Sequence, residues 1–247
     1  MHFTNKVVVG ILLAFSTSIS NGQTIKKPVP KPAASEIQIT LKDKPKDSLP
    51  PPKTIGTRIK ISTDSGVIVI SLYDKTPLHR DNFIKLVKNH FYDSLLFHRV
   101  IAGFMIQGGD PESKNSLPGQ LLGKGDIGYT IPAELDSTLF HKKGALAAAR
   151  TLNAEKASSG CQFYIVQGKK MTEQELSAIE NQKGLYFSPT KRKAYTELGG
   201  TPKLDMDYTV FGEVEIGMEV VERIATSQKN ELNRPNTDIL MKMELIK

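Results

Sequence analysis

Arg99 and Gln107 are the residues best placed in this sequence to do chemistry. They lie in one stretch, Phe97-His-Arg-Val-Ile-Ala-Gly-Phe-Met-Ile-Gln-Gly-Gly-Asp110, together with Phe104 and Met105. A guanidinium and a carboxamide beside an aromatic ring and a thioether suit an apolar pocket with a few convergent hydrogen-bond donors. The same run also reads as an ordinary buried strand, with Val100, Phe104 and Ile106 in a core and Arg99 a solvated edge charge. Short apolar runs do not decide between the two.

Other chemistries find less support. The histidines His2, His79, His90, His98 and His141 show no metal spacing such as H-E-x-x-H, which speaks against a zinc hydrolase. His98 adjoins Arg99, but strand neighbours face opposite ways, so a packing or surface role is expected. Glu134 and Asp136 could form a carboxylate pair; a solvated loop edge is the plainer reading. Gly123-Lys-Gly125-Asp-Ile-Gly128 matches G-x-G-x-x-G, yet a phosphate-binding loop must open a helix, and here the chain runs into Tyr129-Thr-Ile-Pro132. The single cysteine, Cys161, has no intrachain partner and is expected to be buried and inert.

The elements that must position these residues follow from periodicity. Arg58 to Ser62 and Val67 to Tyr73 flank the turn Asp64-Ser65-Gly66 as a β-hairpin. Thr76-Pro77 offers an N-cap and a first-turn proline, and Phe83, Leu86 and Val87 continue a helix ending before Tyr92-Asp93. Leu95 to Gln107, Gly144 to Ala149, Gln162 to Gln167, Leu204 to Gly212 and Ile239 to Ile246 read as strands, and Gly217 to Ala225 as a helix. The small residues of Gly144 to Ala149 would let a ligand or another backbone approach closely. Residues 169 to 203 look like an insertion of two short helices, the first opened by the capping box Thr172-Glu-Gln-Glu175 and the second by Ser188-Pro189.

The 247 residues are 39% hydrophobic and 24% charged, a globular composition with room for an appendage. Lys6, the apolar run Val7 to Phe15 and the small residues Ser18 and Ser20 form a secretory signal pattern over residues 1 to 22. The run is well short of the roughly 20 apolar residues of a spanning helix, so no stable membrane insertion is expected once the signal is cleaved. Residues 23 to 53 read as a flexible Lys/Pro-rich linker. Seven lysines against three acids give it +4; with Lys6, that leaves +2 of the chain's +7 for the domain expected over residues 54 to 247. A basic tail with a near-neutral domain gives no nucleic-acid footprint on the folded part.

Four segments together resemble the cyclophilin family of peptidyl-prolyl cis–trans isomerases: Phe97 to Asp110, Gly144-Ala-Leu-Ala-Ala-Ala149, Gly160-Cys-Gln-Phe-Tyr-Ile165 and Tyr208-Thr-Val-Phe-Gly212. They occur in family order. The resemblance implies a mainly β fold, a closed eight-stranded antiparallel β-barrel capped by two α-helices, carrying the small helical insertion at about 169 to 203. It implies Arg99 as the catalytic arginine and Phe104, Met105, Tyr164 and Leu204 as walls of a proline pocket. Gln107, Ala149 and Gln162 match residues that line the groove and bind peptide backbone. Tyr208 stands where many members have histidine. Lys203 replaces a common aromatic that helps bind cyclosporin, which implies weak binding of that drug. The implied partners are proline-containing segments of unfolded or extended proteins, handled by a monomer in the periplasm or outside the cell, without cofactor or metal. A peptide-binding chaperone with weak isomerase activity is the alternative, suggested by Lys203 and the insertion beside the pocket.

Overall fold

Arg58–Thr63 (β1) and Gly66–Leu72 (β2) pair antiparallel across the expected turn, with Ile59, Ile61, Ile68 and Ile70 fully buried. This hairpin begins a computed structural model that describes residues 56 to 246. The expected signal and linker lie outside the described residues. Helix Pro77–Lys88 (α1) follows, then Leu95–Leu96 (β3), Arg99–Ile101 (β4), Met105–Gly108 (β5), Thr130–Ile131 (β6), Ala145–Ala148 (β7), Ser158–Ser159 (β8) and Phe163–Val166 (β9). Helices Glu173–Lys183 (α2) and Pro189–Glu197 (α3) precede Val210–Ile216 (β10), helix Met218–Ala225 (α4) and Leu240–Ile246 (β11).

The expected closed eight-stranded barrel gives way to a curled nine-stranded antiparallel sheet, ordered β3-β11-β1-β2-β10-β7-β9-β5-β4, with β6 and β8 paired separately. The sheet's two edge strands, β3 and β4, are consecutive in the chain. Only Phe97 and His98 separate them, so covalent chain rather than a hydrogen-bonded ladder spans the gap. The free edge of β4 is covered by the loop before β11: the Val100 amide donates to Asn233 O at 2.8 Å, and Lys229 Nζ donates to Val100 O at 2.9 Å. Covering an edge in this way blocks pairing with another chain.

Leu95 to Gln107 is not one strand. Gly103, at φ +74°, turns the chain so that β4 and β5 form a tight hairpin, closed by the Phe104 amide on Ile101 O at 3.0 Å. A side chain would strain that left-handed backbone. The expected strand from Leu204 likewise begins only at Val210, because Pro202–Leu204 forms a 3-10 turn.

Alternation along the strands sorts residues onto two faces. Ile106, Leu146, Ala148, Phe163 and Ile165 turn inward to the main core, which also takes Phe83, Leu86 and Val87 of α1 and Val220, Val221 and Ile224 of α4. Met105, Ala145, Ala147, Tyr164 and Val166 turn to the other face and form a second apolar cluster with Val210. The insertion has its own small core of Met171, Leu176, Ile179, Phe187 and Tyr195. Its capping box forms as expected, Thr172 and Glu175 exchanging bonds of 3.2 and 2.8 Å.

The start of α1 departs from expectation. Thr76 makes no side-chain cap; instead the Glu134 carboxylate accepts from the Leu78 and His79 amides at 3.0 Å each and contacts His79 Nδ1 at 2.7 Å. Glu134 is therefore no solvated loop edge: its side chain is 13% exposed and satisfies the orphan donors of a helix N-terminus.

Candidate functional site

The second apolar face carries a pocket of about 130 Å³. Sheet register makes one of its walls. Arg99 pairs with Gln107, Gln107 with Tyr164, and Tyr164 with Ala147, so these side chains form a row across β4, β5, β9 and β7. Met105, 1% exposed, lies two residues before Gln107 on the same face, and Phe104 comes from the Gly103 turn. Leu204 and Tyr208 close the pocket from the segment between the insertion and β10, and Ala149 from the end of β7.

Eight of the nine residues expected at a site line this pocket: Arg99, Phe104, Met105, Gln107, Ala149, Tyr164, Leu204 and Tyr208. The ninth, Gln162, stands behind it. Arg99 Nη1 donates to Gln107 Oε1 at 3.1 Å, and Gln107 Nε2 donates to Gln162 Oε1 at 3.0 Å. Gln162 Nε2 then donates to the carbonyls of Gly123 and Gly125 at 3.2 and 2.7 Å. The glycine-rich loop thus anchors a carboxamide relay. An added Cβ at Gly125 would meet Asp110 Oδ1 at 2.1 Å, so the loop's close approach requires glycine there. Asp110 in turn accepts from the Gly123 and Glu112 amides.

Partial burial lowers the Arg99 pKa by desolvation. A guanidinium starts above 12 and stays cationic, so the result is a poorly hydrated donor at the pocket rim. His98 points away from it, is 3% exposed, and has neither ring nitrogen hydrogen-bonded among the described residues. Desolvation pushes its pKa down to about 4. Cys161 is buried, and desolvation pushes its thiol up to about 11, which fits an inert side chain.

Two features were not anticipated from sequence. Arg150 also lines the pocket, with Cζ 4.8 Å from the centre of the Tyr208 ring and Nε donating to Asp207 O at 2.8 Å. Its place directly after Ala149 was the available signal. Behind Tyr164 runs a buried polar chain: the Tyr164 hydroxyl lies 2.9 Å from His141 Nε2, and His141 Nδ1 lies 2.9 Å from Asp205 Oδ1. Asp205 Oδ2 accepts from the Tyr195 hydroxyl at 2.8 Å. Burial pushes the Asp205 carboxyl up, but the bonds and charge of His141 outweigh it and hold the group below its ordinary value. No local pattern marks contacts between residues this far apart in the chain.

The arrangement offers a fixed cationic donor at the edge of a small apolar cavity, with hydrogen-bonding groups alongside. Comparison with known proteins places the chain in a family. The family model for cyclophilin type peptidyl-prolyl cis-trans isomerase/CLD matches residues 58–244. A Staphylococcus epidermidis protein described as a peptidyl-prolyl cis-trans isomerase is 35% identical over 185 residues, covering 74% of this chain and 88% of that one. A Streptococcus pyogenes protein described as a bifunctional phosphatase/peptidyl-prolyl cis-trans isomerase is 34% identical over 189 residues, 75% of this chain; the chain spans only 38% of that longer protein. The crystal structure of a Cryptosporidium parvum cyclophilin type isomerase superposes with a TM-score of 0.59 over 77% of this chain and 98% of that one. Identity there is 21%, a likeness of fold; the same protein was also crystallised in the presence of the dipeptide Ala-Pro. By the match across most of its length, this chain belongs to the cyclophilin-type peptidyl-prolyl cis–trans isomerase family.

Proposed function

We propose that this cyclophilin-type isomerase turns X-Pro bonds in the pocket bounded by Phe104, Met105, Tyr164 and Leu204, with Arg99 as the catalytic residue. The chemistry asks for little else. Rotation about a peptide bond must lose amide resonance, a barrier of roughly 18–20 kcal/mol. The two X-Pro isomers differ by only about 0.5–1 kcal/mol and exchange in tens of seconds or more. No bond is made or broken. At the twisted transition state the prolyl nitrogen regains a lone pair, which a guanidinium can then hydrogen-bond; the planar ground-state nitrogen accepts poorly. That difference makes the contact catalytic rather than adhesive.

The observation that carries this reading is the tether of Arg99 to Gln107 and Gln162 at the rim of an apolar cavity. The relay fixes the donor before substrate arrives, and the cavity suits a pyrrolidine ring. Gln107 and Ala149 would meet the peptide backbone and Tyr208 would flank it, while Gln162, expected from the resemblance to bind backbone itself, is buried behind the pocket and holds Gln107 in place. The test is NMR exchange of a short Ala-Pro peptide at catalytic enzyme concentration. Line broadening that needs stoichiometric protein, with no catalysed exchange, would leave binding alone.

We also assign the enzyme to the folding of exported proteins in the cell envelope, on the strength of the signal pattern in residues 1 to 22. None of the helices among the described residues is long and apolar enough to cross a membrane. N-terminal sequencing of the mature protein should start near Ser20 to Gly22; an intact N-terminus in the cytoplasm would refute the assignment.

A further inference from the structure

We propose that the helical insertion is a brace for one wall of the pocket, with Lys183 and Asp205 as positioning residues. The proposal rests on the pocket being the peptide site, and deepens that reading. The wall in question is the segment from Lys203 to Tyr208, which carries Leu204 and Tyr208 and belongs to no strand. No sheet ladder holds it. What holds it are Lys183, Lys156 and Arg150, whose side chains reach in, and its own Asp205, which reaches out.

Lys183, the last residue of α2, donates Nζ to Lys203 O at 2.8 Å, Asp205 O at 2.7 Å and Asp207 Oδ2 at 2.6 Å. Its three donors are thereby all used on this one segment. Lys156 donates to Met206 O at 2.8 Å and Asp207 Oδ1 at 2.7 Å from the opposite flank. Asp205, 1% exposed, plants the segment in the protein: it accepts from the His141 amide at 2.9 Å and from Tyr195 of α3, with Lys191 Nζ at 3.7 Å. Met206 between these anchors sits at φ +63°, a conformation an L side chain adopts only when its surroundings impose it.

Asp205 is also bonded to His141, which contacts the Tyr164 hydroxyl. One carboxylate therefore ties α3, the loop wall and the strand wall together. The insertion does not cover the pocket; it fixes the distance between Leu204 and Tyr164. A wall of this kind contacts the ring in ground and transition states alike, so loosening it should weaken binding more than turnover.

The test compares the full chain with Lys183→Met, Lys183→Arg and Tyr195→Phe. Three quantities are read: amide hydrogen exchange at Leu204, Asp205 and Asp207, the Kd for an Ala-Pro tetrapeptide, and kcat against KM. Lys183→Met should speed exchange at those amides at least about tenfold, raise Kd and KM about three- to tenfold, and leave kcat within about twofold. Lys183→Arg should restore most of the loss, and Tyr195→Phe should shift the same quantities less. Unchanged Kd and unchanged exchange in a folded Lys183→Met protein would overturn the brace, as would a fall in kcat at constant Kd. If Lys183→Met does not fold, Tyr195→Phe, which deletes one hydroxyl, carries the same comparison. If the unmodified protein binds the peptide without catalysing its exchange, the isomerase reading falls, while Kd and amide exchange still decide the brace.

Discussion

Arg99→Ala is the most demanding perturbation of the proposed mechanism. The guanidinium donates Nη1 to Gln107 at 3.1 Å, and its remaining donors are available for a substrate at the pocket rim. A hydrogen bond to a charged group is worth about 1.5–3 kcal/mol. If that bond forms to the prolyl nitrogen only at the transition state, its loss should lower kcat/KM by about ten- to 150-fold, at 1.36 kcal/mol per tenfold. Stability should fall by only about 1 kcal/mol, because Arg99 is half-buried on a short edge strand and no buried charge is left unpaired. Arg99→Lys separates charge from geometry. The ammonium keeps the positive charge but lacks the planar fork that bonds Gln107 and a substrate together, so most of the loss should persist. The assay is NMR exchange on an Ala-Pro peptide, with circular dichroism and a urea midpoint to verify folding. Catalysis above about a third of wild type in folded Arg99→Ala would refute the transition-state role.

Other predictions follow from the supporting contacts. Gln162→Leu removes the acceptor for Gln107 and two bonds to the glycine loop, and should lower kcat/KM about three- to tenfold with a smaller effect on KM; an unchanged rate would separate the relay from catalysis. Gly125→Ala would put Cβ against Asp110 Oδ1, so the urea midpoint should drop by the equivalent of about 1–3 kcal/mol unless the loop moves. His98 gives a pH test. Its folded pKa of about 4 lies below an unfolded value near 6.5, so the unfolded chain takes the proton first. Its contribution is full above pH 6.5 and declines as pH falls towards 4, by up to about 3 kcal/mol. His79 is lowered too, by burial outweighing Glu134, so it adds a slope of the same sign. His98→Leu should therefore gain on wild type between pH 7 and 4.5 by roughly 2–3 kcal/mol in chemical unfolding; parallel pH profiles would show that His98 does not titrate in this range.

The uneven legibility of the sequence has a physical cause. Arg99, Phe104, Met105 and Gln107 were readable because they are near neighbours in one run whose order, with the three later segments, resembles the cyclophilin family; the period of two then puts Met105 and Gln107 on one face. What that run hid was its own bend: Gly103 was visible, yet a glycine inside an apolar stretch is compatible with a bulge, a turn or plain packing. Glu134 was misread because its partners are the Leu78 and His79 amides, more than fifty residues away, and backbone donors leave no mark in a side-chain pattern. Closure failed for a related reason. Strand periodicity says which residues face inward, but whether edge strands share a ladder depends on register along the whole sheet.

The pocket itself divides along the same line. Its strand wall, Gln107 beside Tyr164, is placed by ladder hydrogen bonds that any sequence of suitable pattern would make. Its loop wall, Leu204 and Tyr208, is placed by Lys183, Lys156, Arg150 and Asp205, whose side chains bond loop backbone or carry it. Those four residues are ordinary surface types in the sequence, and only the three-dimensional arrangement gives them a role. A substitution on the strand wall should thus act through contact with the ring. One at Lys183 or Lys156 should act at a distance, through the position of a loop whose own sequence is unchanged.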